Sequence, residues 1–286
     1  MTLRTLLVGA EASLKAGPHS ERARLDAETL LLHALRQNRA WLLAHWDDVA
    51  PDDIAYLSLV ARRAAGEPIQ YITGSSEFFG LPFSVGPGVL IPRPETEHLV
   101  EEVLRLAGLF ENDAPSIADV GTGSGIIAVA LAHALPKAHI AAVDLSPQAL
   151  LIARENAQRN QVAGRIEFFE GDLLAPLMGR RFSIIASNPP YVPTADLASL
   201  AVEVREHEPH GALFAGEDGL DVYKRLVPAA REYLLPGGWL VMEIGYAQQS
   251  TLEAMLLSNG YSDAHCVPDY QGIPRVVAGQ KSGDES

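Results

Sequence analysis

Apolar positions in residues 1–66 recur at helical spacing through Leu3, Leu6 and Leu7, then Leu25, Leu30, Leu31 and Leu32, then Leu35. Asn38 is placed to cap a short helix carrying Trp41, Leu42 and Leu43. Pro51 and Asp52 open another that carries Ile54, Leu57 and Val60, and Gly66 suits its C-terminal end. His33 and His45 sit among apolar neighbours and read as structural. The pattern then changes. Between Ile69 and Val85, β-branched and aromatic residues are punctuated by Gly74, Gly80 and Pro82, which predicts a hairpin. The run Gly86 to Pro94 holds five prolines or glycines close together and forms a constrained link, with Glu95, Thr96 and Glu97 in the first turn of a following helix. Arg93 and Glu95 read either as hinge and helix start or as a lid over a neighbouring pocket.

From Ser116 onward strands and helices alternate, the signature of a doubly wound α/β sheet. Strands are expected at Ile117 to Val120, Ile140 to Val143, Ile166 to Phe169 and Phe182 to Ser187, then at Trp239 to Ile244, Ser262 to Val267 and Arg275 to Ala278. Helices are expected after the first strand through Leu131, from Ser146-Pro147, over Leu220 to Leu234, and over Ala247 to Leu257. The segment Gln280 to Ser286 is polar and is expected to fray. The organisation expected is a helical region at 1–68, a hairpin linker at 69–93 and an α/β domain at 94–286.

Two stretches carry candidate chemistry. Gly121-Thr122-Gly123-Ser124-Gly125 follows the first strand directly, and Asp144 stands 19 residues after Gly125 at the end of the second. This is a nucleoside-binding arrangement, in which glycines let the backbone approach the ligand and the acid accepts from ribose hydroxyls. A dinucleotide site favours G-x-G-x-x-G, whereas this loop is G-x-G-x-G and is preceded by Asp119, which would repel a phosphate. S-adenosylmethionine, with a ribose, an ammonium group and no phosphate, fits these residues better than NAD. Asp119 also reads simply as a strand-end residue that caps a turn, although that leaves Asp144 and Asp172 at successive strand ends unexplained. The second stretch is Asn188-Pro189-Pro190-Tyr191, where two prolines stop a strand and present an amide and a ring at its C-terminal edge.

Composition narrows the partners. Acidic residues outnumber Lys and Arg 36 to 22, a net charge of −14, which opposes the basic face that nucleic-acid binding needs. A single cysteine, Cys266, leaves no internal disulfide framework and no cysteine-rich zinc site. No apolar run approaches the roughly 18 residues of a membrane span, and Glu11 and Lys15 interrupt Leu6-Leu7-Val8 too early for a secretory segment. The expectation is a cytoplasmic monomer without bound metal.

With both stretches in view, the chain resembles the HemK-type (PrmC) methyltransferases over nearly its whole length. The resemblance rests on Leu90-Ile91-Pro92-Arg93-Pro94-Glu95-Thr96-Glu97, Asp119 to Gly125, Asn188 to Tyr191, Glu208-Pro209 and Glu243-Ile244-Gly245. It implies a class I S-adenosylmethionine-dependent methyltransferase with a Rossmann-like, mostly parallel seven-stranded sheet and a small N-terminal helical domain joined by a β-hairpin. The implied reaction is methylation of the glutamine side-chain nitrogen in the Gly-Gly-Gln motif of class I peptide-chain release factors. Gly121, Thr122, Gly123, Ser124, Gly125 and Asp144 would then hold the methionine and ribose parts of the cofactor. Asp172 and Leu173 would lie near the adenine, and Asn188 would meet both cofactor and substrate. Leu173 departs from relatives that carry an aromatic there.

On that reading the Asn188 side-chain oxygen and the Pro189 carbonyl accept the two hydrogens of the substrate amide. Pro189-Pro190 keeps those acceptors stiff, Tyr191 packs on the flat amide, and no general base is required. The alternatives are an adenine N6-methyltransferase using the same motif on nucleic acid, a non-catalytic cofactor-binding scaffold, and metal binding by Glu206-His207-Glu208-Pro209-His210, where Pro209 breaks any helical ligand face.

Overall fold

The computed structural model describes residues 1–51, 55–110 and 114–282. The chain divides into two units, Met1–Ser75 with Ser199–Glu208, and Ser76–Ala198 with Pro209–Ser286. The first unit is helical. Helix α1 (Leu3–Lys15) starts where the Thr2 hydroxyl accepts from the Thr5 amide at 3.2 Å, and α2 (Ala23–Leu35) ends on Arg36 in the left-handed region. Helix α3 (Arg39–Ala44) is capped by Asn38, whose Oδ1 accepts from the Trp41 amide at 2.9 Å. Helix α4 (Tyr56–Ala64) lies within the expected span, although Asp52 and Ile54 fall outside the described residues.

The apolar stripes of α1, α2 and α4 meet in one core built on Leu3, Leu7, Leu30, Leu31, Leu42 and Tyr56. Two leucines assigned to those stripes by spacing, Leu25 and Leu57, are exposed instead; Tyr56 takes the buried place on α4 and donates to the Ala27 carbonyl at 3.0 Å. His45 stacks on Trp41 with ring centroids 4.2 Å apart.

The segment expected to begin a hairpin at Ile69 is first a helix, α5 (Ile69–Thr73), closed by Gly74 at φ +71°. Ile69, Tyr71 and Ile72 are buried on it, and burial decides between helix and strand for so short an apolar run. The hairpin itself is shorter than expected, β1 (Ser75–Phe78) and β2 (Leu81–Ser84).

Helix α6 (Glu97–Ala107) leads into alternating strands and helices: β3 (Ser116–Val120), α7 (Ile126–Ala134), β4 (His139–Asp144), α8 (Pro147–Arg159), β5 (Ile166–Glu170) and β6 (Phe182–Ser187). A short helix, α9 (Val202–His207), belongs to the stretch Ser199–Glu208 that groups with the helical unit. The chain finishes with α10 (Asp221–Tyr233), β7 (Leu234–Glu243), α11 (Gln249–Ser258), β8 (Tyr261–Pro268) and β9 (Pro274–Lys281). Of the segment expected to fray, Gln280 and Lys281 are strand residues, Lys281 Nζ donating to the Arg231 and Leu234 carbonyls at 2.8 and 3.0 Å, and residues 283–286 lie outside the described residues.

Among the described residues the large sheet has seven strands in the order β5-β4-β3-β6-β7-β9-β8. The pairs from β5 to β7 are parallel, and β9 runs antiparallel to both its neighbours. One apolar layer, with Leu99, Val103, Ile127 and Ala130 from α6 and α7, covers one face of the sheet. A second, with Tyr223, Leu226, Leu252 and Leu256 from α10 and α11, covers the other. Chain order reverses between β3 and β6, so their C-terminal ends flank the crevice where open α/β sheets bind ligands.

Candidate active site

Both chemistry-bearing stretches emerge at that crevice. Val120 pairs with Ser187 across β3 and β6, and Ser187 Oγ donates to the Val120 carbonyl at 2.7 Å. The glycine loop and the Asn188 loop therefore leave neighbouring strands at matched height. A cavity of about 550 Å³ opens there. Gly121, Thr122, Gly123, Ser124, Asp144, Asp172, Leu173, Asn188 and Pro190 line it.

The loop is held by backbone geometry. Gly121, Gly123 and Gly125 all have positive φ, at +76°, +55° and +83°. A Cβ on Gly123 would meet nothing within 4 Å, so this glycine leaves room for a guest, whereas one on Gly125 would sit 3.0 Å from the Ala153 Cβ. Gly125 is thus a packing glycine between α7 and α8, and it does not line the cavity. Asn156 on α8 is fully buried and fastens the loop from behind: Nδ2 donates to the Ser124 carbonyl at 2.8 Å and to the Ser84 carbonyl at 2.9 Å, and Oδ1 accepts from the Ser84 amide at 2.6 Å.

Asp144 Oδ2 accepts from the Gly123 amide at 2.8 Å and Oδ1 from the Ser146 amide at 2.9 Å. Each carboxylate oxygen keeps a second lone pair for a hydroxyl guest. Asp172 lies at the rim, ion-paired with Arg225 of α10.

Asp119 is not a wall of the cavity. It is fully buried, and its Oδ2 accepts from the Thr122 hydroxyl at 2.6 Å and from the Ala128 amide at 3.1 Å, joining β3, the loop and α7. Burial pushes its pKa up to about 7, with those bonds pulling it down and the nearby Asp144 adding to the rise. Its geometry is that of the turn-capping acid.

At the other edge of the crevice, Asn188 Nδ2 donates to Thr96 Oγ1 at 3.1 Å. The Tyr191 hydroxyl donates to Glu243 Oε1 at 3.3 Å, and the Tyr191 carbonyl accepts from Gln248 Nε2 at 3.2 Å. Tyr191 and Pro189 stand behind the lining and only Asn188 and Pro190 face the cavity. Glu243 is fully buried; burial raises its pKa to about 7, against the Thr96 and Tyr191 hydroxyls that favour its charged form. Burial and the adjoining Glu243 also push the Tyr191 phenol up.

Sequence reading did not single out Thr96, Arg225 or Glu243 as site residues. Arg93, one of the two lid candidates, does line the cavity, and Glu95 lies 3.8 Å from Arg275. No helix of the described residues is long and apolar enough to cross a membrane.

Comparison with known proteins agrees with this architecture. Residues 5–74 match the PrmC N-terminal domain model and residues 101–204 the methyltransferase small domain model. A release factor glutamine methyltransferase of Geobacter sulfurreducens is 50% identical, with 91% of this chain and 90% of that protein covered. One from Koribacter versatilis is 44% identical over 98% of this chain and 99% of its own length. In fold, the chain is similar to T. thermophilus RsmC, an rRNA methyltransferase solved with AdoMet and guanosine, at a TM-score of 0.53 and 20% identity, covering 72% of this chain and 49% of that one. This chain belongs to the release factor glutamine methyltransferase family.

Proposed function

We propose that this protein transfers the methyl group of S-adenosylmethionine to the side-chain amide nitrogen of the glutamine in the Gly-Gly-Gln motif of class I release factors. The observation that carries the reading is that Asn188, at the end of β6, lines the same cavity as the glycine loop and Asp144 at the ends of β3 and β4. The curated relatives, which carry that activity in their names, support the substrate.

The residues fit the cofactor. The open space over Gly121 and Gly123 admits a backbone-hugging guest, and Asp144 offers free lone pairs to a ribose. Leu173, at φ +50°, and Asp172 form the wall for the adenine. Bound there, S-adenosylmethionine supplies an electrophilic methyl group on a sulfonium leaving group.

The chain's own work is orientation. A glutamine amide nitrogen is a weak nucleophile because its lone pair is shared with the carbonyl. With Nδ2 committed to Thr96, Oδ1 is the atom that Asn188 offers to the cavity, and it accepts one hydrogen of the substrate amide. Pro189 is buried behind the lining, so it does not offer the second acceptor expected of it; with Pro190 it stiffens the backbone that carries Asn188, which holds the nitrogen in line with the methyl group and favours a localised lone pair. The methylated nitrogen is strongly acidic and releases its proton to solvent, so no general base is needed.

Asn188→Ala is expected to lower turnover by about 100-fold or more while S-adenosylmethionine still binds by calorimetry. Near-normal turnover would sink the assignment. The substrate is tested with methyl-labelled S-adenosylmethionine and a release factor, with and without its Gly-Gly-Gln glutamine replaced, beside adenine-containing DNA and RNA. Label that ignores the replacement, or that appears on the nucleic acid alone, refutes the reading.

A further inference from the structure

Thr96 closes a 3₁₀ turn, Pro94–Thr96, that runs directly into α6, and its own dihedrals are helical at φ −66° and ψ −17°. Its side chain is therefore not engaged as a cap. Here the side chain is fully buried, accepts from Asn188 Nδ2 at 3.1 Å, and faces the carboxylate of Glu243 at the end of β7. A buried hydroxyl needs its hydrogen bonds made, and Thr96, which lines the cavity, makes them to Asn188 and Glu243.

The roles follow from proton counting. A hydroxyl has one proton to give. A carboxylate only accepts, so with Glu243 ionised the Thr96 proton points at Glu243 and its lone pairs point at Asn188. The group of Asn188 facing Thr96 must then be the NH₂, which leaves Oδ1 for the cavity. We propose that Thr96 is a positioning residue for methyl transfer, passing the acceptor-only character of Glu243 to Asn188 and so fixing which end of the Asn188 amide meets the substrate. This rests on the reading of Asn188 as the acceptor for the substrate amide. It goes beyond that reading by assigning the choice of amide rotamer to a residue 92 positions away in the chain.

Protonation of Glu243 reverses the relay. A neutral carboxyl donates to Thr96, the Thr96 proton turns to Asn188, and the amide presents NH₂ to a substrate that also offers NH₂. The groups facing Glu243 bias this equilibrium in both directions. Tyr191 donates to its Oε1 at 3.3 Å and Tyr223 to its backbone carbonyl at 2.6 Å. Arg275, held by Asp269 at 2.9 Å, favours the carboxylate, whereas Glu95 opposes it. Arg93 acts on the Tyr191 end of the same group. Glu243 Oε2 has no hydrogen-bond partner among the described residues, so Oε1 is the oxygen that faces Thr96, and the relay turns when Oε1 carries the proton.

The test uses the full chain with Thr96→Val, which keeps shape and removes the hydroxyl, Thr96→Ser, which restores it, and Glu243→Gln. Turnover on a release factor, S-adenosylmethionine affinity and melting temperature are measured for each between about pH 6 and pH 9, spanning the raised carboxyl value. The side-chain amide resonances of Asn188 are followed by NMR. In the native protein kcat falls as pH drops through the region near 7, and the Asn188 amide signals shift with it. Thr96→Val lowers kcat by about 100-fold, flattens that profile and frees the Asn188 signals from pH. Its KM and cofactor affinity stay within about threefold, and Thr96→Ser recovers most of the rate. Glu243→Gln, which can donate to Thr96 at every pH, is slow throughout.

Thr96→Val at near-native kcat overturns the proposal, as does a loss that Thr96→Ser does not recover. So does a loss that comes with a fall in melting temperature and cofactor affinity together, which marks a packing role. A native protein that leaves the release factor unmethylated sinks the functional reading. A native protein that methylates it, with Asn188→Ala inactive and Thr96→Val active, sinks only the relay.

Discussion

Asp119 shows how a single buried acid couples structure to pH. Both of its hydrogen bonds converge on Oδ2, from Thr122 and Ala128, while Oδ1 is buried without a partner among the described residues. Its folded-state pKa, raised to about 7 by burial, lies above the ordinary value of 3.8. Between those two values the folded protein binds more protons than the unfolded chain, so this group's contribution to stability falls as pH rises. Asp119→Asn, with its oxygen in the Oδ2 seat, keeps both bonds and removes the buried charge. The cofactor-free melting temperature of that variant is expected to exceed the native value by roughly 5 °C at about pH 8.5 and by about half as much at about pH 5.5, the gap closing only as pH falls to the ordinary carboxyl value. An equal gap at both pH values would show that charge is not the cause. At this scale the sequence displayed Asp144 and Asn188 plainly, because each follows a recognisable strand. It could not display Thr96 or Glu243 as site residues, since what matters about them is contact with Asn188 across distant parts of the chain.

At the scale of elements, the glycine loop owes its shape as much to α8 as to its own residues. Asn156 is the link, with three hydrogen bonds to the backbone at Ser84 and Ser124. Asn156→Ala strands buried backbone groups at about 1–3 kcal/mol each. The expected result is a lower melting temperature and weaker S-adenosylmethionine binding by calorimetry; unaltered affinity would mean the loop holds itself. Strands and helices of the sheet were readable from periodicity because each has one face to bury, as in Ile117 to Val120 or Ile140 to Val143. The helix Ile69–Thr73 was not, because a short apolar run rich in β-branched and aromatic residues fits either form until its burial is known.

At the scale of the whole molecule, the helical unit has an electrostatic centre of its own. Arg63 is buried, with Nε 2.7 Å from Asp26 and Nη1 2.9 Å from Glu203. Removing the cation leaves buried Asp26 with only the longer contact to the half-exposed Arg22 at 3.4 Å, a loss of up to roughly 3–5 kcal/mol. Arg63→Ala is expected to give an early melting transition of the helical unit, with S-adenosylmethionine affinity retained and KM for the release factor raised. One concerted transition with cofactor binding lost would overturn that expectation. The change from helical to alternating pattern made two regions visible in the sequence. The grouping of Ser199–Glu208 with the helices was hidden, because a contact between Arg63 and Glu203 leaves no local periodicity.

The pairing of Val120 with Ser187 works as a ruler. Strand register moves only in whole residues, and a slip of one would carry Asn188 about 3.3 Å along β6 and turn alternate side chains to the other face. The distance from the glycine loop to the Asn188 loop is therefore set in steps too coarse for gradual adjustment. A chain built this way can acquire a new methyl acceptor by changing the segments that deliver the guest. The span between the glycine loop and the Asn188 loop stays fixed by two adjacent strands.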